Sequence, residues 1–389
     1  MSAELLNPTI DAEVRALLAG PEIPEQYEAP IIFDLSVPED VLALHSLSKA
    51  RPISSLGSRA EQIGNDLFEL ENPDKKRDAE LRERYMQNVR AQGHAYGNWV
   101  LFQDGTLGHY PKKEDHLALL SAANFTSPEQ QRQIWDTGVI VAGQSVGSEV
   151  AKQLGMMGAG RLALLDRDTL SWLNLNRVRS SGLLVGFPKI IATALEIHTH
   201  NPYIQIETFP DGFTPESEEA LEGYDFFVDE MDDWQAKIRA REFVRRNGIA
   251  LLSAADWDDL SLVDIERYDL FESVKPFLGR MSKRDLSKKG WNPLDFIKKL
   301  VGMEYASARM QEELRRVEGA ERTCAPQAGT TASLGGIAVA RTISRIATGE
   351  YIPSGRYVVS PLLGPHNLMY GSTSGRRRKL PRVLDGLLS

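Results

Sequence analysis

The chain has 389 residues, of which 42% are hydrophobic and 25% charged, and its formal net charge at pH 7 is -9. This length and composition are typical of a globular protein with about two domains. The negative charge disfavours nucleic acid as a partner, because phosphate binding needs clustered positive charge. No apolar stretch approaches the ~18 residues of a membrane span, and no signal sequence begins the chain, so we expect a cytoplasmic protein with no membrane partner.

Two local features limit the function further. The only cysteine is Cys324, which excludes an intramolecular disulfide and a four-thiolate zinc site, so no zinc is expected. The run Arg376–Lys379 is the one strongly basic segment. We interpret it as a solvated run rather than a patch for nucleic acid or membrane.

Residues 1–130 are predicted to form a smaller accessory region with α+β structure and no catalytic constellation. Its Asp104-Gly105 pair suits the tight turn of a β-hairpin. The predicted elements are a strand at 31–35, a helix from Pro38 through Leu47, a charged helical stretch at 73–90, a hairpin at 99–110 and a helix at 113–123. Thr126 is predicted to be the N-cap of the next helix.

From residue 134 onward, apolar strands and helices alternate, which predicts a Rossmann-like, mostly parallel sheet with helices on both faces. We place the second part of the protein at 131–389. The predicted strands are 139–142, 161–166, 204–209, 225–229 and 249–253.

The second half of this part has four further signals. Pro188 and the Thr214-Pro215 pair each predict the start of a helix. The alternation over 262–270 predicts a strand with one face in water. Residues 281–320 read as a charged, helical insertion, and Gly335–Ala347 as a core helix.

A short glycine turn, Gly143 to Gly147, joins the first strand of this part to a helix. Amides at a helix N-terminus favour phosphate, and Asp166 lies at the end of the next strand, about 20 residues on, where a ribose is bound in such folds. Asp166 alone fits the ribose of ATP or of NAD equally well.

Four polar motifs follow the turn in order: Asp166 to Asp168, Asn174 to Arg177, Gly186 to Lys189, and Asp229 to Asp233. Together they resemble the adenylation domain shared by ubiquitin-activating enzymes and the bacterial ThiF and MoeB proteins, whose pattern is D-x-D, N-L-x-R, G-x-P-K and D-x-x-D-N. The resemblance covers about 134–350 of the chain.

The resemblance implies a role for each matching residue. Asp166 would hold the ribose, Arg177 and Lys189 the phosphates, and Asp232 the magnesium ion. The nucleotide would also contact Gly143, Ser145, Gly147, Asp168 and Asn174. It further implies ATP and Mg²⁺ as cofactors and a homodimer. The reaction would be AMP transfer to a carboxylate, at the free C-terminus of a small ubiquitin-like carrier protein or peptide, which a nucleophile then attacks.

The sequence departs from the family pattern at three places. Ser145 stands where the family turn has glycine, Asp233 replaces the usual Asn, and the arginine that family members supply to the partner subunit is missing, with Arg132 the nearest substitute. An NAD(P)-dependent oxidoreductase and a non-catalytic nucleotide-binding scaffold therefore stay open as alternatives. Cys324 is either a thioester-forming nucleophile or, as we favour, a small buried residue.

Overall fold

The computed structural model describes residues 24, 26–288, 290–319 and 326–360. Cys324 and the basic run Arg376–Lys379 lie outside these residues, so both interpretations stay predictions. Across the described residues, no helix has the length and apolar character needed to cross a membrane.

The accessory region is built on a four-stranded sheet in the order β1-β3-β4-β2. Its strands are β1 (Ile31–Phe33), β2 (Ser54–Ser55), β3 (Asn98–Leu101) and β4 (Thr106–Tyr110). The predicted hairpin is confirmed, because β3 and β4 pair antiparallel and Gly105 takes a φ of 85° between them. The helices here are α1 (Pro38–Ala50), α2 (Ala60–Glu71), α3 (Ala79–Gln92) and α4 (Lys113–Ala123).

The predicted fold class is confirmed by a second, seven-stranded sheet in the order β11-β10-β9-β8-β5-β6-β7. Its strands are β5 (Gly138–Ala142), β6 (Arg161–Leu165), β7 (Gln205–Phe209), β8 (Phe226–Asp229), β9 (Ala250–Trp257), β10 (Leu260–Arg267) and β11 (Gly355–Val359). Strands β5 to β9 run parallel, whereas β10 and β11 extend the sheet antiparallel. The carboxyl ends of β5, β6, β8 and β9 therefore meet at one edge.

Helices cover both faces of this sheet. They are α5 (Pro128–Trp135), α6 (Val146–Met157), α7 (Lys189–His200), α8 (Trp234–Asn247), α9 (Lys283–Leu286), α10 (Pro293–Val301), α11 (Ala308–Glu318) and α12 (Gly329–Ala347). Helices α6, α7 and α12 bury Leu154, Ile197 and Val339 against one face. On the other face, α8 buries Phe243 against Phe227 of β8.

The prediction of a strand with one face in water is wrong for β10. Apolar and polar residues alternate along the strand, but the polar residues Asp264 and Glu266 are buried, at 7% and 0% exposure. Each is paired with an arginine, Asp264 with Arg356 and Glu266 with Arg241. Helices α10 and α11 also cover this side of the strand, since Leu262 packs in one cluster with residues of both.

Several helix predictions need correction. The described residues of the stretch 281–320 form three short α-helices, α9 to α11, and a 3₁₀ helix at Met303–Tyr305. Gly302, at φ 100°, ends α10. The predicted helix at Thr214-Pro215 is a turn, in which Ser217 donates back to the Thr214 carbonyl, followed by a three-residue 3₁₀ helix. The N-cap of α5 is Ser127, not Thr126, and it forms a capping box with Gln130.

The accessory region packs against the C-terminal end of α7. The hydroxyl of Tyr110 donates to the carbonyl of Thr199 at 3.0 Å. Asn98 donates to the hydroxyl of Tyr203 at 3.2 Å, and the ring of Tyr27 stacks on His198. The same helix begins at Lys189, so one element joins the accessory region to the candidate nucleotide site. The boundary at residue 130 stays a prediction.

Candidate nucleotide site

The glycine turn after β5 is shaped by two close contacts. Gly143 has a φ of 91°, and a Cβ there would lie 2.3 Å from the carbonyl oxygen of Glu230. A Cβ on Gly147 would lie 2.9 Å from Val141 of β5, so this glycine lets α6 approach the sheet. Ser145 occupies the N-cap position of α6 but makes no side-chain cap. The first amides of α6 therefore keep the donors that a phosphate needs.

Asp166, at the end of β6, is held by two backbone amides. Its Oδ2 accepts from the Gln144 amide at 2.5 Å, and its Oδ1 accepts from the Asp168 amide at 2.8 Å. Burial raises the pKa of this carboxyl, against the lowering effects of Lys189 and the two amides. Each carboxylate oxygen has a second lone pair, so Asp166 can still accept from two ribose hydroxyls.

Lys189 is drawn into the site by Asp168. Its side chain is buried at 8% exposure, and Nζ donates to Asp168 Oδ2 at 2.8 Å. The Lys189 amide also donates to the Asp168 carbonyl at 2.9 Å. A lysine in the first turn of a helix is unfavourable for the helix dipole, and here a carboxylate compensates for it. The side chain of Asp168 is 59% exposed, whereas that of Lys189 is 9% exposed.

The loop with Asn174 and Arg177 turns back onto the glycine turn. Asn174 is buried and accepts from the amide and hydroxyl of Ser171, which closes the loop. Arg177 Nε donates to Ser145 Oγ at 2.9 Å, and Nη1 donates to the Leu173 carbonyl at 3.0 Å. The serine that replaces the family glycine thus positions an arginine beside the turn.

The acidic motif after β8 divides into residues with different roles. Asp229 is fully buried and paired with Lys237 and Arg241, which lower its pKa against the effect of burial. Asp233 caps α8 by accepting from the amides of Gln235 and Ala236. Asp232 is exposed to solvent. It is therefore the carboxylate of this motif that is free to meet a ligand.

The residues present fit a magnesium ion bound together with a nucleotide. Mg²⁺ usually takes one or two protein carboxylates and fills its other positions with phosphate oxygens and water. The exposed Asp232 supplies one carboxylate. A buried oxygen of Asp256, Oδ2, has no hydrogen-bond partner among the described residues. The negative charge of Asp232 raises the pKa of Asp256. Within those same residues, no group of three or more His, Cys, Asp or Glu side chains forms a metal cage.

Sequence reasoning missed Asp256 and Gln327. Asp256 lies near the end of β9, and burial raises its pKa to about 7, while Gln327 and Arg177 lower it and Asp232 raises it. Gln327 Nε2 donates to Asp256 Oδ1 at 3.1 Å, and the Gln327 carbonyl accepts from Asn176 at 2.8 Å. An acidic residue at the end of a parallel strand was the available signal for Asp256. No local signal marks Gln327, which joins the site from about 150 residues away in the chain.

The structure thus brings most of the predicted residues together. Direct contacts link Ser145 to Arg177 and Asp168 to Lys189. Arg177 lowers and Asp232 raises the pKa of Asp256. Arg132, the suggested substitute for the missing arginine, is exposed on α5. Whether each residue binds nucleotide stays a prediction.

The seven-stranded, mostly parallel sheet with helices on both faces is a Rossmann-like fold. Residues 118–257 match the model of the ThiF family, as the motifs predicted. The family resemblance is confirmed for this part of the chain.

Two curated relatives and one solved structure show the range of similarity. The uncharacterized protein MT1398 of Mycobacterium tuberculosis is 30% identical over 324 residues, covering 82% of this chain and 43% of the relative. A sulfur carrier protein adenylyltransferase of Thermus thermophilus is 30% identical over 113 residues, covering 28% of this chain and 42% of the relative. The match thus spans less than half the length of either relative. A crystal structure of PaaA covers 64% of this chain and 78% of its own, with a TM-score of 0.46 and 22% identity.

Proposed function

We propose that this protein is an ATP-dependent adenylyltransferase that transfers AMP to a carboxylate. The acceptor in this proposal is the free C-terminus of a small ubiquitin-like carrier protein or peptide. The observation that carries it is the contact of Arg177 with Ser145 of the glycine turn and of Lys189 with Asp168, with the exposed Asp232 in the acidic loop. The ThiF match and the Thermus thermophilus adenylyltransferase support the same reaction class.

The chemistry needs positive charge more than it needs a base. A carboxylate oxygen attacks the α-phosphorus of ATP, the bond from that phosphorus to the pyrophosphate oxygen breaks, and an acyl adenylate forms. Negative charge builds on phosphates that are already charged, so fixed cations stabilise the transition state. Arg177 supplies a planar fork and Lys189 a compact point charge.

The remaining residues position the nucleotide. In this proposal the amides of the Gly143 to Gly147 turn bind phosphate oxygens, and Asp166 accepts from the ribose hydroxyls. Asp232 would hold Mg²⁺, which would supply positive charge to neutralise the leaving pyrophosphate. Asp168 would hold Lys189 in place until a phosphate competes for the ammonium group.

A homodimer is part of the proposal. Three large apolar side chains near Arg177 are strongly exposed: Trp172 at 70%, Leu173 at 76% and Leu183 at 89%. Such a group is typical of an interface. A Trp172→Ala, Leu173→Ser double variant is expected to sediment as a monomer if the proposed dimer forms here. We also place the protein in the cytoplasm, because the proposed reaction consumes ATP.

The direct test is ATP–pyrophosphate exchange with small carrier proteins that end in a free carboxylate, compared with the same carriers amidated at the C-terminus. The proposal expects exchange with the free carboxylate alone. Lys189→Ala and Asp232→Ala are expected to lower exchange by at least about 100-fold, as for the removal of a group that stabilises transition-state charge. The exposed Lys49 and Asp74 provide matched controls, since Lys49→Ala and Asp74→Ala change the same charges away from the site.

The two alternatives predict different results. An oxidoreductase would transfer hydride from NADH and show no exchange with any carrier. A scaffold would bind ATP without exchange, and Lys189→Ala would then affect binding only. Asp166 suits both nucleotides, but an oxidoreductase gives no role to Lys189 or Asp232.

A further inference from the structure

A cavity open to solvent lies away from the candidate nucleotide site. Its volume is about 470 Å³, within the range of small-molecule sites. It opens between β11, the segment before α9 and the segment between α10 and α11. Its wall includes Lys275, Leu278, Arg280, Tyr305, Ser354 and Arg356.

The cavity lies toward the opposite edge of the sheet from the glycine turn. Gly355 in its wall pairs with Ile265, near the end of β10 that adjoins the start of β9. The candidate nucleotide site is at the other edge, where β5, β6 and β8 end. A ligand in this cavity would therefore not touch the nucleotide.

The described lining has three cationic side chains and no acidic one, in a protein whose net charge is negative. Arg356 is fixed by a bidentate pair with the buried Asp264, at 2.6 Å for each bond, and this pairing keeps its pKa raised despite burial. Arg280 donates to the Leu300 carbonyl at 2.8 Å and to Glu304 at 2.6 Å. Neither acidic partner is among the lining residues, and Asp264 is buried whereas the side chain of Glu304 is 36% exposed.

Two of the cations retain donors for a ligand. Arg280 uses Nε and one hydrogen of Nη2 in these bonds, so among the described residues both hydrogens of Nη1 lack an acceptor. Lys275 is exposed and makes no hydrogen bond or ion pair with any residue that the structure describes. An anion that enters the cavity would meet both.

The wall is held in an unusual backbone conformation. Phe277 and Leu278 have φ values of 54° and 52°, a left-handed conformation that costs free energy for side chains of this size. The buried Phe277 is held by its amide, which donates to Glu266 at 2.9 Å, and by Arg241, which lies 3.8 Å from the centre of its ring. Tyr305 forms the facing wall, with the Arg280 and Arg356 guanidinium groups 5.9 and 5.7 Å from its ring centre. The cations therefore surround a cavity with fixed walls.

We infer that this cavity is a binding site for a small polyanion that carries phosphate or carboxylate groups. Lys275 and Arg280 contact the anionic groups, and the Arg356–Asp264 ion pair forms the back of the cavity. Tyr305 and Leu278 line the apolar part. The inference does not depend on the proposed adenylation reaction.

The test is calorimetric titration of the full chain with tripolyphosphate and, separately, with citrate, which distinguish the two anionic chemistries. Lys275→Ala is expected to weaken binding by about threefold to fivefold, as for a partly exposed charge, and Lys275→Glu by more than about tenfold. Lys283→Ala and Lys283→Glu are the matched controls, because Lys283 is exposed in the same segment but outside the cavity. Lys189→Ala reports on binding at the candidate nucleotide site.

The inference is supported if at least one probe binds, the Lys275 variants weaken that binding in the stated order, and the Lys283 variants bind like the wild type. It is overturned if neither probe binds the wild type. It is equally overturned if the Lys275 and Lys283 variants lose binding equally, or if only Lys189→Ala loses it. Lys275 is an exposed side chain, and thermal unfolding of each variant confirms that the fold is kept.

Discussion

Gly143 lies directly against the backbone of Glu230, so that an added Cβ would be 2.3 Å from its carbonyl oxygen. This contact joins the glycine turn, where phosphate is expected, to the acidic loop that carries Asp232. The two halves of the candidate site therefore depend on one small residue with a positive φ. A change at Gly143 should disturb both halves together.

Gly143→Ala is expected to lower the free energy of unfolding by about 3–5 kcal/mol, because the left-handed φ and the backbone clash add. ATP binding should be lost as the acidic loop is displaced. The matched control is Gly212→Ala, at φ 75° with no atom within 4 Å of the added Cβ. For the control, urea unfolding should show a loss of about 1–2 kcal/mol in the free energy of unfolding, from the left-handed φ alone. Equal effects of the two substitutions would contradict the contact.

The buried arginine beneath the acidic loop is predicted to be essential for stability. Arg241 pairs with Asp229 and Glu266, both fully buried, and Arg241→Met would leave Glu266 with no cation and Asp229 with Lys237 alone. We expect a loss of about 3–5 kcal/mol in the free energy of unfolding. Arg246→Met, which removes an arginine that is 57% exposed, should cost less than about 1 kcal/mol. Denaturant unfolding of both variants measures the difference.

Acid is predicted to destabilise the protein through His198. Burial lowers its pKa from 6.5 to about 4, so between these values the unfolded chain binds a proton that the folded protein does not. The free energy of unfolding therefore falls as pH drops from about 6.5 to 4, by at most about 3 kcal/mol for this imidazole. The pKa of His116 is also lowered to about 4, so it contributes in the same direction.

The variant His198→Gln isolates this contribution. The glutamine can keep a hydrogen bond to the Ile204 carbonyl but has no proton to gain in this range. Unfolding measured at pH 7.0, 5.5 and 4.5 should show a smaller decrease for this variant than for the wild type. His45→Gln changes an exposed histidine and serves as control. If the free energy of unfolding of His198→Gln decreases with pH as much as that of the wild type, His198 is not the source of the acid destabilisation.

The parallel half of the fold was predictable because its strands are buried on both faces and read as continuous apolar runs. Val139 to Val141 and Leu162 to Leu165 are of this kind, with exposures of 1% or less. The prediction that one face of β10 lies in water was wrong because carboxylate side chains such as those of Asp264 and Glu266 are usually exposed to solvent. These two are buried only because arginines far along the chain pair with them.

The candidate site shows the same limit. Lys189, Arg177 and Asp232 were found because they follow strands or turns with a local pattern. The family resemblance singled out Asp232, but the residues alone did not predict that Asp229 pairs with Arg241 and that Asp233 caps α8. Asp256 lies at the end of a strand longer than predicted, and Gln327 meets it only through the fold.

Calorimetric titration with ATP·Mg²⁺ and, separately, with NADH tests most directly whether Lys189 and Asp232 belong to an ATP-binding site. It should use the wild type, Lys189→Ala and Asp232→Ala, with Lys49→Ala and Asp74→Ala as controls. ATP·Mg²⁺ is expected to bind the wild type and both controls, and its affinity is expected to fall by at least about tenfold in each site variant. Binding of NADH that neither substitution changes, with no binding of ATP·Mg²⁺, would contradict this expectation.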